Sequence, residues 1–162
     1  TALRDQYRIK LSDKEKERVV ERCEQAQTGL AKISLKLTST KSTRLATYDA
    51  IIGSLSSLRA LVVAKQVDPS NIELLIVEYQ QKKVKFEAAV DAYQVTLDDS
   101  VQVDCKVKPE EFRAALEGVR AARKQVVSAS SEISEITKSN LKTAFDTLKD
   151  RLLMGEKADG QQ

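Results

Sequence analysis

The chain lacks two residue types that enzymes and thick hydrophobic cores commonly use: none of its 162 residues is histidine or tryptophan. Without histidine, the commonest acid–base group at neutral pH and the usual partner of a serine or cysteine nucleophile are both absent. A Glu-x-x-His di-metal site of the bundle type is excluded for the same reason. Aromatic residues make up only 4% of the chain, which favours a thin aliphatic core of the helical-bundle kind.

Proline and glycine are also scarce, with two prolines and five glycines in the whole chain. This scarcity favours a few long elements over many short strands joined by turns. The glycines are isolated from one another, so no glycine-rich phosphate-binding loop is present.

Long apolar runs are missing, and none approaches the roughly 18 to 20 residues that a bilayer-spanning helix needs. Residues 1–11 do not have the pattern of a signal peptide. We therefore expect that the 162 residues of this chain do not insert directly into a membrane. The formal charge is +3, from 27 basic and 24 acidic residues, and both signs are mixed along the chain, as on a solvated surface.

The charged clusters do not indicate a binding chemistry. Basic groups at residues 82–85 and 113–124 are interleaved with acidic residues and lack an aromatic platform, so we expect no nucleic-acid binding. The pairs Asp98-Asp99 and Glu110-Glu111 are interpreted as solvated or helix-capping acids. Asp98, Asp99 and Asp104 do not have the spacing of an EF-hand. The sequence thus predicts no catalytic, cofactor-binding or metal-binding residue, no cofactor and no evident small-molecule ligand, and a protein that is not an enzyme.

Apolar residues recur every three or four positions from about residue 12 to residue 65, which predicts one long helix. The steps follow a heptad, with one additional four-residue step near Arg44 where the supercoil relaxes. Ser12 followed by Glu15 is a capping-box signature at its start. Residues 38–44 are polar, and their hydroxyls can weaken a helix; we favour a continuous helix, and the alternative is a break that gives four helices. The predicted seam is Val19, Cys23, Ala26, Leu30, Ile33, Leu37, Thr40, Arg44, Tyr48, Ile51, Leu55, Leu58 and Val62.

Two further helices follow a turn at residues 67–71, where Pro69 ends the first helix and Asp68 or Ser70 can cap the second. The second helix is predicted over residues 70–97, and residues 98–108 break the pattern and predict a loop. Pro109 opens the third helix, which is predicted to stop near Gly155. Their seams are Ile72, Ile76, Tyr79, Lys83, Phe86, Val90, Tyr93 and Leu97, and then Phe112, Leu116, Val119, Ala122 or Arg123, Val126, Ala129, Ile133, Ile136, Asn140, Ala144, Leu148 and Leu152.

These elements predict an all-α fold, an elongated three-helix antiparallel coiled-coil bundle. The predicted domain organisation is a frayed N-terminal segment at residues 1–11, a single helical-bundle domain at residues 12–154 and a disordered tail at residues 155–162.

Two cysteines, Cys23 on the first seam and Cys105 in the predicted loop, allow three interpretations. They form a structural disulfide, or remain reduced and buried, or serve a redox or metal role. If the chain reverses near Asp68, eight extended residues after Leu97 descend about 26 Å and bring Cys105 near the level of residue 22. The register therefore permits the two cysteines to meet.

A resemblance adds to this interpretation. Residues 19–27 (VVERCEQAQ), the Asp104-Cys105 pair and residues 109–116 (PEEFRAAL) together resemble uncharacterised exported two-cysteine helical proteins of ultrasmall, reduced-genome bacteria, over roughly residues 15–150. The resemblance implies export and a structural bridge between Cys23 and Cys105. It implies no enzymatic activity.

Three functions are compatible with the sequence. The first is a non-enzymatic exported bundle that acts as a cell-surface or periplasmic structural, spacer or adhesion module, with a protein partner or self-association. The second is a small-ligand sensing or carrier bundle, in which residues 38–44 mark a cavity between helices. The third is a cytosolic coiled-coil interaction protein with both cysteines reduced. The first hypothesis places the protein outside the cytoplasm.

Overall fold

The computed structural model describes the backbone of residues 9–159 and the side chains of residues 9–154. Over this range the protein is an all-α helical bundle without a strand, so the predicted fold class is confirmed. The helices are α1 (Asp13–Ala64), α2 (Ser70–Gln102), α3 (Pro109–Glu135) and α4 (Leu141–Asp159). A π-helical turn, Ile136–Asn140, joins α3 to α4, so the third predicted helix is one joined element.

Helix α1 begins where its capping signature predicts and is continuous. The backbone N–H and the hydroxyl of Ser12 both donate to the Glu15 carboxylate, at 2.8 and 2.6 Å. In the polar stretch, the Ser39 and Thr43 hydroxyls donate to carbonyls of the preceding turn, each at 3.0 Å. These hydroxyls add to the helical hydrogen bonds without replacing them, and the alternative of a break at residues 38–44 is wrong.

The turn between α1 and α2 is a Schellman motif. Gln66 has a positive φ of 58°, and the amides of Gln66 and Val67 donate to the carbonyls of Val63 and Val62 at 3.0 and 3.1 Å. These bonds satisfy the last carbonyls of α1. The Asp68 carboxylate then accepts the Ser70 amide at 3.0 Å and caps α2, as the sequence predicts.

Because a side chain in the left-handed region is strained, Gln66→Gly is expected to stabilise the protein by about 1 kcal/mol. The measurement is the free energy of unfolding from urea denaturation. Gln25→Gly, in the exposed interior of α1, is the control and is expected to lose about 1 kcal/mol. A loss of stability in Gln66→Gly would contradict the role assigned to this turn.

The chain forms two compact units, the first from Thr1–Thr43 with Phe86–Ser128 and the second from Arg44–Lys85 with Ala129–Gln162. In the first unit, Cys23, Leu30, Tyr93, Leu97, Phe112 and Val119 lie among the buried core residues. In the second, the buried residues include Tyr48, Leu55, Val62, Ile72, Tyr79, Ile133 and Leu148. The boundaries predicted for a single domain at residues 12–154 stay a prediction.

Helices α1 and α2 run antiparallel within each unit, and their polar contacts fix the alignment. Four contacting pairs, separated by 14, 34, 50 and 64 residues, are each centred on Gln66. The sequence suggested a reversal centred near Asp68, and the structure places the centre two residues earlier, at Gln66. The pairs are Arg59 with Glu73 and Asp49 with Lys83 in the second unit, and Lys41 with Asp91 and Ser34 with Asp98 in the first.

Helix α2 continues five residues beyond its predicted end at Leu97, so the loop predicted over residues 98–108 is wrong in its first part. Ser100 is fully buried and its hydroxyl donates to the Leu97 carbonyl at 2.7 Å. Asp98 accepts a hydrogen bond from Ser34 of α1 at 2.7 Å. The burial of Ser100 and the contact of Asp98 with α1 override the weak helix preference of a Ser and Asp stretch.

The π-turn corrects the register of the third seam. Thr137 and Ser139 donate their hydroxyls to the carbonyls of Ile133 and Glu135, at 2.9 and 2.7 Å. The wider turn leaves Ile136 buried and turns Asn140, which was placed on the seam, to the exposed surface. Burial of an unpaired amide would be unfavourable, and Asn140 instead donates to Glu78 at 3.3 Å.

Other seam positions also differ. Ile33 is 44% exposed because Ser34, next to it, faces α2 and bonds Asp98. At the position left open in α3, Ala122 is buried and Arg123 is exposed. Helix α4 ends at Asp159, so the predicted stop at Gly155 and the disordered tail from that residue are wrong over residues 155–159. Residues 160–162 of the predicted tail and residues 1–8 of the predicted frayed segment lie outside the described residues.

Candidate functional site

The junction between α1 and the connection that follows α2 carries both cysteines, and it lies within the first unit. Cys23 and Cys105 form a disulfide with a Cα–Cα distance of 5.9 Å and a sequence separation of 82 residues. Their side chains are 1% and 3% exposed. The structure therefore brings together the two residues that the sequence singled out, at the level of α1 that the register permitted.

Asp104 shapes the connection that presents Cys105. Its carboxylate accepts the amides of Lys106 and Val107, both at 3.2 Å, and its carbonyl accepts the Lys108 amide at 2.8 Å. An aspartate that bonds its own following backbone in this way stabilises a tight turn. Asp104, considered in the sequence as a calcium ligand, thus has a structural role.

Gln27 of α1 closes the junction, and sequence reasoning gave it no role of its own. Its side-chain amide Nε2 lies 3.2, 3.0 and 2.7 Å from the carbonyl oxygens of Ser100, Val101 and Val103. Carbonyls at the end of a helix have no intrahelical partner, so Gln27 caps α2 from a neighbouring helix. The sequence signal for a role at the junction was the position of Gln27 four residues after Cys23, because this spacing places both side chains on one face of α1.

Gln27→Ala is expected to destabilise the first unit by about 1–3 kcal/mol, because the carbonyls it caps lose their donor in a part-buried site. Urea denaturation gives the loss, and amide hydrogen exchange should locate it at residues 100–108. Gln25→Ala, an exposed change on the same helix, is the control and should be close to neutral. An equal effect of the two variants would rule out the capping role.

Ion pairs surround the junction. Lys106 contacts Glu24 of α1, and this carboxylate raises the pKa of Lys106. Glu110, at the first turn of α3, accepts the Leu11 amide at 3.0 Å and lies 3.5 Å from Lys16. The Leu11 amide first, and then the Lys16 ammonium, lower the pKa of Glu110. Glu110 is therefore a paired and capping acid, as the sequence indicated, and it holds the segment before α1 to α3.

An open groove of about 760 Å³ lies beside the junction. Lys16, Glu17, Val20 and Glu21 of α1 form one side, and residues 106–111 form the other. Val107 is 73% exposed in its wall. The groove combines a small apolar surface with charges of both signs. A second groove of about 320 Å³ lies in the second unit between α2 and α4, next to the π-turn.

A polar cluster in the second unit joins α2 to the π-turn and the end of α3. Tyr79 is fully buried, and its hydroxyl contacts the Thr137 hydroxyl. Because Thr137 donates to the Ile133 carbonyl, its oxygen accepts from Tyr79. Burial raises the pKa of Tyr79. Lys82 and Lys85 hold Glu132 at 2.7 and 2.5 Å.

The two ammonium groups, Lys82 first and Lys85 second, lower the pKa of Glu132 from 4.5 to about 2. A depressed carboxyl pKa contributes stability above the unfolded-state pKa, and this contribution is lost as the pH falls from about 4.5 to about 2. Glu132→Gln is therefore expected to lower the thermal midpoint at pH 7 and to match the wild type near pH 2. Thermal unfolding followed by circular dichroism between pH 7 and pH 2 measures this difference in midpoint.

The control is Asp146→Asn, because Asp146 pairs with Lys142 in an exposed contact within α4 at 2.9 Å. Exposed pairs of this type contribute little, so its melting curve should follow the wild type at each pH. A Glu132→Gln difference that persisted unchanged at acid pH would contradict the assignment.

Residues 38–44, at which the second functional hypothesis places a cavity, include side chains that join helices. Lys41 contacts Asp91 and Glu87 of α2 at 2.6 and 3.3 Å, and Arg44 donates to Ser130 of α3 at 2.7 Å. Neither of the two grooves described above is lined by residues of this stretch.

Within residues 9–159, no helix is both long and apolar enough to span a membrane. Among the side chains of residues 9–154, no three from cysteine, aspartate or glutamate gather where they could hold a metal ion. Comparison with protein-family models, curated proteins and solved structures finds no match to this chain. The resemblance to exported two-cysteine proteins therefore stays a prediction.

Proposed function

We propose that the protein is a non-enzymatic, exported helical bundle that acts as a structural, spacer or adhesion module at the cell surface or in the periplasm. The observation that carries the proposal is the buried disulfide between Cys23 and Cys105. Structural disulfides form and persist in oxidising compartments and are rare in the reduced cytosol. The third hypothesis, a cytosolic protein with reduced cysteines, is disfavoured by the same bond.

The helices support a spacer role. Helix α1 has 52 residues, and at 1.5 Å per residue it extends about 78 Å. Helices of this length are typical of coiled-coil proteins. Ion pairs hold α2 along it within each unit, as Lys41 does with Asp91 and Arg59 with Glu73, both at 2.6 Å.

The proposal is tested on the protein in its source cells. Cells are first separated into extracytoplasmic and cytosolic fractions in the presence of excess iodoacetamide, each fraction is then denatured, and peptides are mapped by mass spectrometry without reduction. We expect a linked pair of peptides that contain Cys23 and Cys105, recovered from the extracytoplasmic fraction. A sample reduced before alkylation is the control and should give two separate alkylated peptides. Alkylated cysteines in the unreduced cytosolic fraction would refute export.

A further inference from the structure

Helix α3 carries a groove of about 680 Å³ on its exposed side within the first unit, and the spacer role does not use it. Its walls include Arg120, Arg123 and Lys124, with Glu117, Ala121 and Val127. We call this surface the basic groove. It belongs to the basic group at residues 113–124 that the sequence showed.

The basic groove has an excess of positive charge. Glu117 is the one acidic residue in its described lining, and it already contacts Arg120 at 2.5 Å and Arg113 at 3.4 Å. Arg123 and Lys124 are exposed beside it. A partner that fits the groove must therefore supply carboxylates or other anions.

The groove also has an apolar part. Val127 is 57% exposed, and Ala121 lies half-buried in the wall. Nucleic acid would not cover these residues, and the described aromatic side chains of the first unit, Phe86, Tyr93 and Phe112, are buried and offer no stacking platform. An acidic segment with apolar residues between its carboxylates fits both parts of the groove.

The bundle uses the same arrangement between its own helices. In the second unit, Lys82 and Lys85, three residues apart on α2, hold the single carboxylate of Glu132 on the facing helix. Arg120 and Arg123 have the same spacing on the exposed side of α3. Because Arg120 is already paired with Glu117 within α3, Arg123 and Lys124 are the cations of this surface that a carboxylate of a facing helix could meet in the same way.

We propose that the basic groove binds an acidic amphipathic helix of another protein. Its carboxylates would lie against Arg123 and Lys124, and its apolar residues would cover Val127. The inference rests on the proposed scaffold role and gives that role a partner. It is tested by binding alone, so its failure is distinguishable from a failure of export.

The test is fluorescence anisotropy with the full-length oxidised protein and a labelled synthetic helical peptide that has glutamates four residues apart and leucines between them. A second peptide with glutamine at each glutamate is the probe control. The variants are Arg123→Glu with Lys124→Glu, and Val127→Asp. The matched control is Lys32→Glu with Lys36→Glu, an equal charge reversal on exposed residues of α1 in the same unit. Circular dichroism confirms that each variant is folded.

We expect the acidic peptide to bind, with an affinity that falls as salt increases, and the glutamine peptide to bind at least about tenfold more weakly. Both groove variants should lose at least about tenfold in affinity, and the α1 control should match the wild type. The inference is overturned if the groove and control variants lose affinity equally, or if the acidic peptide does not bind. It is also overturned if heparin or duplex DNA binds the groove and the peptide does not.

Discussion

Replacement of both cysteines by alanine is expected to lower the free energy of unfolding by about 4–5 kcal/mol in the chain-entropy account of disulfides. The bond between Cys23 and Cys105 closes a loop of 82 residues, and its removal frees this loop in the unfolded state. The two side chains are also buried, so the alanines leave some packing volume unfilled. Urea denaturation followed by circular dichroism measures the change.

Reduction of the wild type with dithiothreitol provides the matched comparison, because it breaks the bond without a substitution. The reduced protein and the double variant should unfold at nearly the same urea concentration. Each single cysteine variant should resemble the double variant, since one cysteine alone cannot close the loop. A loss below about 1 kcal/mol in all these samples would show that the bond contributes little to this fold.

Tyr79→Ala is expected to cost about 3–5 kcal/mol, as other large-to-small core substitutions do. Tyr79 is fully buried in the second unit and contacts Thr137 of the π-turn. The substitution removes a whole ring from a thin core that has few aromatic residues to replace it. The measurement is again the free energy of unfolding.

Tyr79→Phe separates the two contributions of this residue. It keeps the ring and removes the hydroxyl, and Thr137 retains its bond to the Ile133 carbonyl at 2.9 Å. We therefore expect a smaller loss of about 0.5–1.5 kcal/mol. If Tyr79→Phe cost as much as Tyr79→Ala, the hydroxyl contact and not the packing would dominate, and the assignment of Tyr79 as a core residue would be wrong.

The candidate site illustrates what sequence reasoning could reach. The proximity of Cys23 and Cys105 followed from apolar spacing and one turn, because helices have a fixed rise per residue. The supporting details did not follow. The turn is centred on Gln66 and not on Asp68, and α2 extends to Gln102 and not to Leu97. These two differences from the predicted register offset each other, so Cys105 still meets Cys23.

Gln27 and the π-turn were missed for a common reason. A glutamine at a half-exposed position of an amphipathic helix looks like an ordinary surface residue until three carbonyls from another segment arrive beside it. The hydroxyls of Thr137 and Ser139 are equally compatible with a regular helix. The contact between the hydroxyls of Tyr79 in α2 and Thr137 shows that the π-turn packs against another helix.

The sequence by itself determined the all-α class, the chain reversal before Pro69 and the N-terminal ends of α1 and α3. These features depend on apolar spacing and on local capping, and both are determined by residues that are close together in the sequence. Only the tertiary structure decided where α2 ends, which residues cap it, how the π-turn shifts Asn140 outward and which charges line the basic groove. Each of these depends on which distant side chain arrives at a given point, and periodicity along one helix does not contain that information.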